Sequence, residues 1–376
     1  MSNTEFLAVR LRRGEMNMIE KLRHMSWSLV FFLCCIAAIG FFMLYSAANA
    51  SLDPWTARQM LRFGLGLLLM LVIGMLDIRL IMRSAYTVYA AVLILLIFVD
   101  VRGVVGGGAQ RWISVGFMNL QPSELMKIAL VLALARYFHG MSLNDVQKPL
   151  LLFIPILIVV APVTLIIRQP DLGTALMVIM GSAVILFLSG VRLWKFGVVI
   201  VASVAAIPVA WQFFQDYQKT RILTFLNPER DPLGAGYHIM QSKIALGSGG
   251  LFGKGFLQGT QSHLNFLPER QTDFIFTMLA EELGLVGGVV LISLYVVVII
   301  YGFAIAVRCR QQFGRLVAMG ITTTFFLYVF INIAMVMGLI PVVGVPLPLI
   351  SYGGTSLLTI MLGMGLLMSV HVHRDV

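Results

Sequence analysis

Asp273 stands where a polar segment of the chain gives way to an apolar run. The stretch from Leu267 to Phe276 reads LPERQTDFIF and leads into residues that prefer lipid or a protein interior. A carboxylate at such a boundary is partly desolvated, which raises its pKa toward the range useful for a general base. The alternative is a helix cap formed together with Thr272. Asp273 is therefore a candidate catalytic base.

Glu124 and Lys127 are ionisable residues inside another apolar run. They are three residues apart, so on a helix they share one face and can form an ion pair. Pro122 fits the first turn of that helix, where its missing N–H costs nothing. Two interpretations stay open: a structural pair that neutralises itself, or a Lys127 that faces a polar cavity and receives an anion.

Asp171 lies in a short polar segment, RQPDLGT at 168–174, between two further apolar runs. Aspartate is favoured at helix starts, so capping of the following helix is one explanation. Ionisable residues within a membrane domain are costly and by default mark function. A second role for Asp171, holding a cation or a sugar hydroxyl in a shared cavity, therefore stays open.

A segment near the C-terminus cannot form a continuous helix. Residues 341–355 read PVVGVPLPLISYGGT, with three prolines, three glycines and no charge. Irregular backbone at membrane depth is tolerated only where it is buried in protein or lines a cavity. The segment is predicted to be a rigid re-entrant turn, which is compatible with a second role as the wall of a substrate groove.

The composition shows what kind of structure must position these residues. Of the 376 residues, 59% are hydrophobic and only 12% are charged, whereas a soluble domain carries roughly a quarter charged residues. There is too little polar surface to cover a water-facing globule, so the chain is predicted to be an integral membrane protein. Basic residues between apolar runs explain the net charge of +10 as that of cytoplasmic loops, not of nucleic-acid binding.

The predicted fold is all-α, a polytopic bundle of about ten transmembrane helices. One crossing needs roughly 20 apolar residues. The fourth run is the weakest candidate, because a lipid-facing helix would not tolerate Glu124 and Lys127. The runs are 27–48, 60–78, 84–101, 122–138, 149–167, 174–190, 194–213, 284–307, 315–337 and 351–370.

The distribution of Lys and Arg predicts the orientation of the bundle. With the N-terminus inside, the inside segments carry fifteen of these residues and the short outside segments carry five. This excess predicts that both termini are cytoplasmic. The predicted organisation is a cytoplasmic segment 1–26, spans one to seven at 27–213, one large extracytoplasmic loop 214–272, spans eight to ten at 273–370 and a cytoplasmic tail 371–376.

Seven motifs follow one another along the chain: AQRW (109–112), QPSELMK (121–127), QPDLGTAL (169–176), DPLGAGYHIMQSKIALGSGG (231–250), GTQSHLNFLPERQTDFIF (259–276), AEELGLVG (280–287) and VPLPLISYGG (345–354). Each alone is weak, but in this order they resemble one family, the shape, elongation, division and sporulation (SEDS) proteins, which polymerise peptidoglycan. The resemblance covers nearly the whole chain. The segments GTQSHLNFLPER and PVVGVPLPL are similar to the elongation branch of that family rather than to its division branch.

The resemblance implies a glycosyltransferase that polymerises lipid II, the undecaprenyl-diphosphate-linked disaccharide pentapeptide. It implies an essential aspartate at the start of the eighth span, which is Asp273, and a polar cavity to which Glu124, Lys127 and Asp171 contribute. Transfer from an α-linked donor to a β-linked product inverts, so one base on the acceptor 4-hydroxyl is enough. Candidates for neutralising the leaving diphosphate are Lys127, Arg111, Arg221, Lys243 and a bound divalent ion.

The resemblance also implies partners, a cofactor and a location. Members of the family act with a class B penicillin-binding protein, a transpeptidase that crosslinks the strands, while lipid II remains anchored in membrane lipid. A divalent cation, Mg²⁺ or Mn²⁺, is expected, although the sequence identifies no site for it and contains no zinc motif. The expected location is the bacterial cytoplasmic (inner) membrane, crossed many times.

Two other classes of function stay open from the sequence. A lipid-linked-sugar flippase or other transporter would suit many spans with intramembrane charges. Transporters usually carry paired broken helices in matching halves, and the segment 341–354 has no evident counterpart in the sequence. A scaffold that only recruits its partner would leave Glu124, Lys127 and Asp171 unexplained.

Overall fold

Long helices dominate the structure, a computed structural model that describes residues 17–106, 109–115, 118–214, 216–227, 234–264 and 269–374. The described helices are α1 (Met18–His24), α2 (Trp27–Ala47), α3 (Thr56–Met75), α4 (Ile78–Arg102), α5 (Pro122–Phe138), α6 (Leu143–Val146), α7 (Pro149–Arg168), α8 (Leu172–Leu188), α9 (Leu193–Phe213), α10 (Asp216–Leu226), α11 (Ala235–Ser248), α12 (Thr260–His263), α13 (Ile275–Arg308), α14 (Gln312–Val336) and α15 (Gly354–Val372). The described strands are β1 (Val104–Gly106), β2 (Ala109–Val115) and β3 (Met118–Leu120).

Each of the ten predicted apolar runs coincides with a helix. Within the described ranges, seven helices are long and apolar enough to cross a membrane: α2, α3, α4, α7, α13, α14 and α15. Two others, α8 and α9, are shorter apolar helices, and α5 is the run that carries Glu124 and Lys127. The chain is an all-α polytopic membrane protein, as predicted. The number of crossings and the side on which the termini lie stay predictions.

The centre of the bundle is formed by α5, α14 and α15. Nearly every residue of α5 is buried, and the most apolar parts of α14 and α15 are 72% and 78% buried. Because α5 is surrounded by protein, Glu124 and Lys127 do not face lipid. This placement explains how the weakest of the predicted runs can belong to the bundle, since intramembrane charges are tolerated when they face its interior.

Glycines let α3 and α15 approach each other closely. A methyl group added to Gly66 or Gly74 would lie 2.9 Å from the Cγ atoms of Met361 and Met368, respectively. The contact is reciprocal, because a methyl group on Gly365 would lie 2.9 Å from the carbonyl oxygen of Met70. Small residues at such contacts are typical of membrane helix pairs, where backbone proximity replaces a hydrophobic driving force.

The eighth predicted span begins earlier than the apolar run suggests. The run was expected from residue 284, but α13 begins at Ile275 and has a non-helical break at Gly284, with φ +67° and ψ −163°. The residues before the break include Glu281 and Glu282, whose charges hide the helix from a search for apolar runs. The helical part after Gly284 corresponds to the predicted span.

The segment predicted as a long extracytoplasmic loop, 214–272, contains α10, α11 and α12. Helix α11 packs against the bundle, since the buried Ser242 hydroxyl lies 2.8 Å from Thr277 Oγ1 and donates to the carbonyl of Val336 at 2.8 Å. These contacts join α11 to both α13 and α14. Parts of two predicted motifs, at 231–233 and 265–268, lie outside the described residues. So do residues 1–16 of the predicted N-terminal segment and residues 375–376 of the predicted tail.

Two fully buried glutamates hold the segment 214–272 against the break in α13. Lys254 Nζ lies 2.7 Å from Glu281 Oε1, and the hydroxyl of Ser46 in α2 donates to Glu282 Oε1 at 2.6 Å. The backbone N–H groups of Lys254 and Gly255 donate to the carbonyls of Glu281 and Glu282, each at 3.0 Å. A charge can remain buried in this way because it is paired and hydrogen-bonded.

We expect Gly253→Ala to destabilise this contact. Gly253 has φ +80°, and an added methyl group would lie 2.1 Å from the carbonyl oxygen of Glu282. The left-handed backbone alone costs roughly 1–2 kcal/mol for a residue with a Cβ, and the overlap with the backbone adds to it. The thermal midpoint in detergent should fall by several degrees. Gly64→Ala is the matched control because its methyl group meets nothing within 4 Å, and an equal fall in both variants would contradict the account.

A small three-stranded sheet, not anticipated from the sequence, precedes α5. Its strands are antiparallel in the order β1-β2-β3, with Ile113 of β2 opposite Leu120 of β3. Each of the outer strands has only three residues, which is too short for the alternating pattern that identifies strands. The sheet matters for the site because β2 carries Arg111.

Candidate active site

Asp273 lies directly before α13, outside the membrane-spanning helix, in a turn that begins at Glu269. The amide of Phe274 donates to the carbonyl of Glu269 at 3.3 Å and closes this turn. The side chain of Asp273 is half-buried. A methyl group added to Gly344, which has φ +74°, would lie 3.3 Å from Asp273 Oδ2. The carboxylate is therefore packed against the broken segment predicted at 341–355.

The surroundings of Asp273 favour its protonated form. Burial and the negative charge of nearby Glu269 raise the pKa of Asp273 from 3.8 to about 6, while the positive charge of Arg221 acts in the opposite direction. At neutral pH the carboxylate is ionised but holds a proton more tightly than an ordinary aspartate. That combination suits a general base, which must accept a proton near the working pH.

Asp171 forms a second polar group at the start of α8. Its carboxylate caps the helix by accepting from the Thr174 amide at 3.2 Å and from the Thr174 hydroxyl at 2.9 Å. It also accepts from Gln121 Nε2 at 2.8 Å and lies 3.9 Å from Arg111 NH1. The predicted capping role is thus present in the geometry. A further role with substrate stays a prediction.

Arg111 ties β2 to the turn before α8. Its Nε donates to the carbonyl of Gln169 at 3.0 Å and its NH2 donates to the carbonyl of Pro170 at 2.8 Å. About a quarter of the Arg111 side chain remains exposed. The guanidinium is therefore held in place by these contacts.

The broken segment connects the two polar groups. A methyl group added to Gly173, two residues after Asp171, would lie 2.6 Å from the carbonyl oxygen of Val343. The next residue of the segment, Gly344, is the one against which Asp273 packs. Gly173, two residues after Asp171, and the Asp273 carboxylate thus contact neighbouring residues of the same short piece of backbone. A role for this segment as the wall of a groove stays a prediction.

Glu124 and Lys127 form an enclosed cluster with Tyr328 of α14. Lys127 Nζ lies 2.7 Å from Glu124 Oε1 and donates to the Tyr328 hydroxyl, which in turn donates to Glu124 Oε2. The Lys127 and Glu124 side chains are 3% and 6% exposed. The cavities beside Lys127 hold only about 20 and 10 Å³. Contact between Lys127 and a substrate anion would require this cluster to open.

The remaining predicted cations lie in different places. Arg221, in α10, is half-buried and near enough to act electrostatically on Asp273. Lys243, in α11, is exposed and packs against Gly338, where a methyl group would lie 2.3 Å from Lys243 Cε. Of the four cationic candidates, the structure thus brings Arg221 to Asp273 and Arg111 to Asp171, encloses Lys127 and leaves Lys243 beside the start of the broken segment.

A resident metal ion is not matched by the residues that the structure describes. Among them, no three His, Cys, Asp or Glu side chains come together as a metal site. Divalent cations such as Mg²⁺ are usually held by one or two carboxylates together with substrate phosphates, so the expected need for Mg²⁺ or Mn²⁺ stays a prediction.

Sequence reasoning missed several neutral residues that hold the site together. Tyr328 and Asn332 both lie in the predicted ninth span and are buried, and Gln121 bridges to Asp171. A search restricted to ionisable residues overlooks them. The signal that could have found them is a hydrogen-bonding side chain inside an apolar run, because such a group must have a partner there.

Comparison with known proteins identifies the family. The family model described as a cell cycle protein, which groups FtsW, RodA and SpoVE, matches residues 26–376. The chain belongs to the FtsW/RodA/SpoVE family. It is 45% identical over 354 residues to the peptidoglycan glycosyltransferase MrdB of Escherichia coli strain K12, a match that covers 93% of this chain and 94% of MrdB.

Solved structures of the FtsW/RodA/SpoVE family share this fold. One chain from a peptidoglycan synthase complex that coordinates polymerization and crosslinking has a TM-score of 0.82 and 36% identity, covering 93% of this chain and 98% of its own length. The rod shape determining protein RodA of Thermus thermophilus has a TM-score of 0.70 and 33% identity, covering 93% and 97%. The family prediction, including its elongation branch, is confirmed.

Proposed function

We propose that this chain is a peptidoglycan glycosyltransferase that polymerises lipid II into glycan strands for cell elongation and rod shape. The names of relatives such as MrdB support the reaction class. The observation that carries the chemistry is Asp273, an ionisable carboxylate at the start of α13, with its pKa raised to about 6. It is placed to act as the general base of an inverting transfer.

Asp273 would accept the proton of the acceptor 4-hydroxyl as that oxygen attacks the anomeric carbon of the donor. The new glycosidic bond forms while the bond from the anomeric carbon to the diphosphate oxygen breaks. The proton remains on Asp273 and the electron pair leaves with the diphosphate. One carboxylate is enough, because the diphosphate is a stable anion that needs charge neutralisation more than it needs a proton.

Arg221 and Arg111 are the cations that the geometry favours for the leaving diphosphate. Arg221 acts on Asp273 electrostatically, and Arg111 holds the turn before Asp171 while a quarter of its side chain stays exposed. Guanidinium groups match the geometry of phosphate oxygens in a bidentate manner. Lys243 is exposed and lies against Gly338, whereas Lys127 is paired with Glu124 and Tyr328.

The place of Asp273 suits a substrate with a lipid tail. Such a substrate keeps its isoprenoid chain in the bilayer while its sugars react in water. A base at the end of a membrane helix, two residues before Ile275, meets the sugars at that boundary. The predicted orientation puts this end of the bundle on the extracytoplasmic side, where glycan strands are assembled.

The rate of polymer formation should depend on pH through Asp273. The base must be ionised, so kcat/KM should fall as the pH drops through about 6 instead of through the 3.8 of an ordinary aspartate. Glu269→Gln removes a negative charge that raises the pKa of Asp273, so its acid limb should lie at lower pH than that of the wild type. The measurement is kcat/KM for lipid II between pH 4.5 and 8. Identical acid limbs in the two proteins would contradict this account.

Reconstitution separates the proposed enzyme from the other classes. Proteoliposomes containing the chain are supplied with lipid II on the outer face, and both glycan polymer and transbilayer movement of lipid II are measured. Polymer formation is the expected result. Movement of lipid II without polymer would replace the enzyme with a flippase. If neither polymer formation nor lipid II movement is detected, even with a crosslinking partner present, the remaining interpretation is a scaffold.

We infer that the partner is a class B penicillin-binding protein and that both act in the bacterial cytoplasmic (inner) membrane. The support is the likeness to a chain of a complex that coordinates polymerization and crosslinking. Crosslinking needs nascent strands, so a transpeptidase beside the polymerase would receive its substrate directly. Substrate-binding roles for Glu124, Lys127 and Asp171 belong to the same proposal.

A further inference from the structure

The backbone of the turn that carries Asp273 is held by hydrogen bonds from two other parts of the chain. The Tyr352 amide donates to the carbonyl of Gln271 at 2.8 Å, and the Ser351 hydroxyl donates to the carbonyl of Thr272 at 2.6 Å. Asn332 Nδ2 of α14 donates to the carbonyl of Asp273 itself at 3.0 Å. Three successive carbonyls are thus each fixed from outside the turn.

The donors are themselves fixed. Asn332 Nδ2 also donates to the carbonyl of Val345 at 2.7 Å, and the Leu347 amide donates to Ser351 Oγ at 2.7 Å. Asn332 is fully buried and Ser351 is 3% exposed. The side-chain oxygen of Asn332 accepts no hydrogen bond within the described ranges, so the amide is oriented by its two donor contacts. Asn332 Nδ2 therefore joins the turn of Asp273 to the broken segment at Val345.

We propose that Asn332 and Ser351 are positioning residues for the transfer reaction. They act through the backbone of residues 271–273 and set where the Asp273 carboxylate meets the acceptor hydroxyl. This inference rests on the proposed role of Asp273 as the base. Its physical reason is that a base misplaced by about 1 Å can lower the rate about a hundredfold while substrate binding is unchanged.

The charged and titratable groups around Asp273 determine how the rate should depend on pH when this turn is loosened. Its own turn contributes Glu269, and α10 contributes Arg221. Helix α11 contributes His238, whose ring centroid lies 6.3 Å from that of Phe274, and Lys243 near Gly338. The segment 341–353 carries no charged residue. If the turn loosens, water reaches the Asp273 carboxylate and no new charge approaches it from the segment 341–353. Its pKa then falls, so the acid limb of the rate profile should shift to lower pH.

The test compares Asn332→Leu and Ser351→Ala with Thr322→Val. Thr322 is also buried in α14, but its hydroxyl donates only to the carbonyl of Ala318 in the same helix, at 2.7 Å. We expect kcat for lipid II to fall about ten- to a hundredfold in the first two variants, with KM within a factor of two (about 0.4 kcal/mol) of the wild type. The acid limb should move below pH 6, whereas Thr322→Val keeps the wild-type kcat and acid limb.

Each result decides the matter once folding is checked by thermal unfolding in detergent. If Asn332→Leu does not fold, Ser351→Ala carries the test. A folded variant with wild-type kcat, or with lower kcat but an unmoved acid limb, would overturn the positioning role. Asp273→Asn in the same assay distinguishes failure of the positioning role from failure of the proposed function. Polymer formation at the wild-type rate in Asp273→Asn would show that Asp273 is not the base.

Discussion

Asp273→Asn and Asp273→Ala should lower the rate of polymer formation by about 10²–10⁴-fold, the usual contribution of a general base. Both variants should fold, because Asp273 is only half-buried and its backbone carbonyl, not its side chain, accepts the hydrogen bond from Asn332. KM for lipid II should change little. The measurement is the initial rate of polymer formation from purified lipid II by folded, detergent-solubilised protein with its partner present.

Asp216→Asn is the matched control for this result. Asp216 is an exposed carboxylate at the start of α10, in the segment 214–272 that ends directly before Asp273. Its substitution changes the net charge equally but does not touch the turn before α13. A comparable loss of rate in Asp216→Asn would attribute the effect to the loss of any negative charge near this end of the bundle. Full activity of Asp273→Asn would remove Asp273 as the base.

Lys127→Met should destabilise the protein strongly. It leaves the Glu124 carboxylate buried with only Tyr328 as a donor, and breaking a buried ion pair on one side costs about 3–5 kcal/mol. The double variant Glu124→Gln with Lys127→Met should recover most of this loss, because it buries no charge. Thermal midpoints of the single and double variants, measured in one detergent, provide the comparison.

An exposed pair elsewhere in the chain is the control for the buried one. Lys148 Nζ lies 2.7 Å from Asp145 Oδ1, with the same spacing of three residues, but both side chains are exposed. Lys148→Met should change the midpoint little, since exposed pairs contribute little to stability. Equal falls of the thermal midpoint in Lys127→Met and Lys148→Met would contradict the conclusion that burial makes the Glu124–Lys127 pair important for stability.

The double variant also separates the two interpretations of Glu124 and Lys127. A folded double variant that polymerises lipid II at the wild-type rate would show that the pair only stabilises the bundle. A folded double variant that has lost activity would assign the pair to substrate binding, as the proposed function has it. The enclosure of Lys127 by Tyr328 makes this distinction necessary.

The helices of the fold were predictable because the apolar runs are long and the signals that end them are strong. Even α5 was found, although its charges made it the weakest run, and the structure shows why it is tolerated: it lies in the centre of the bundle. The family resemblance placed the start of the eighth span at Asp273, two residues before α13 begins. The apolar pattern alone placed it too late, at 284, because Glu281 and Glu282 interrupt the pattern. Their partners, Lys254 and Ser46, are distant in the sequence, so only tertiary structure reveals why these charges can be buried.

The candidate site was partly predictable for a different reason. Asp273, Asp171, Glu124 and Lys127 stand out because charges in apolar surroundings are rare. Which of them come together was not predictable, since the contact of Gly344 with Asp273 depends on a left-handed turn in a broken segment. Asn332 illustrates the same limit, because a neutral amide becomes informative only when its two carbonyl partners are known.

The most direct test of the account is a structure of the Asp273→Asn variant with its partner and bound lipid II donor and acceptor. The measured quantity is the distance from the side-chain oxygen at position 273 to the acceptor 4-hydroxyl. The account predicts about 2.6–3.2 Å, or one bridging water, with the donor diphosphate on the side of Arg221 and Arg111. An acceptor hydroxyl beyond the reach of one water, or bound instead beside Glu124 and Lys127, would contradict it.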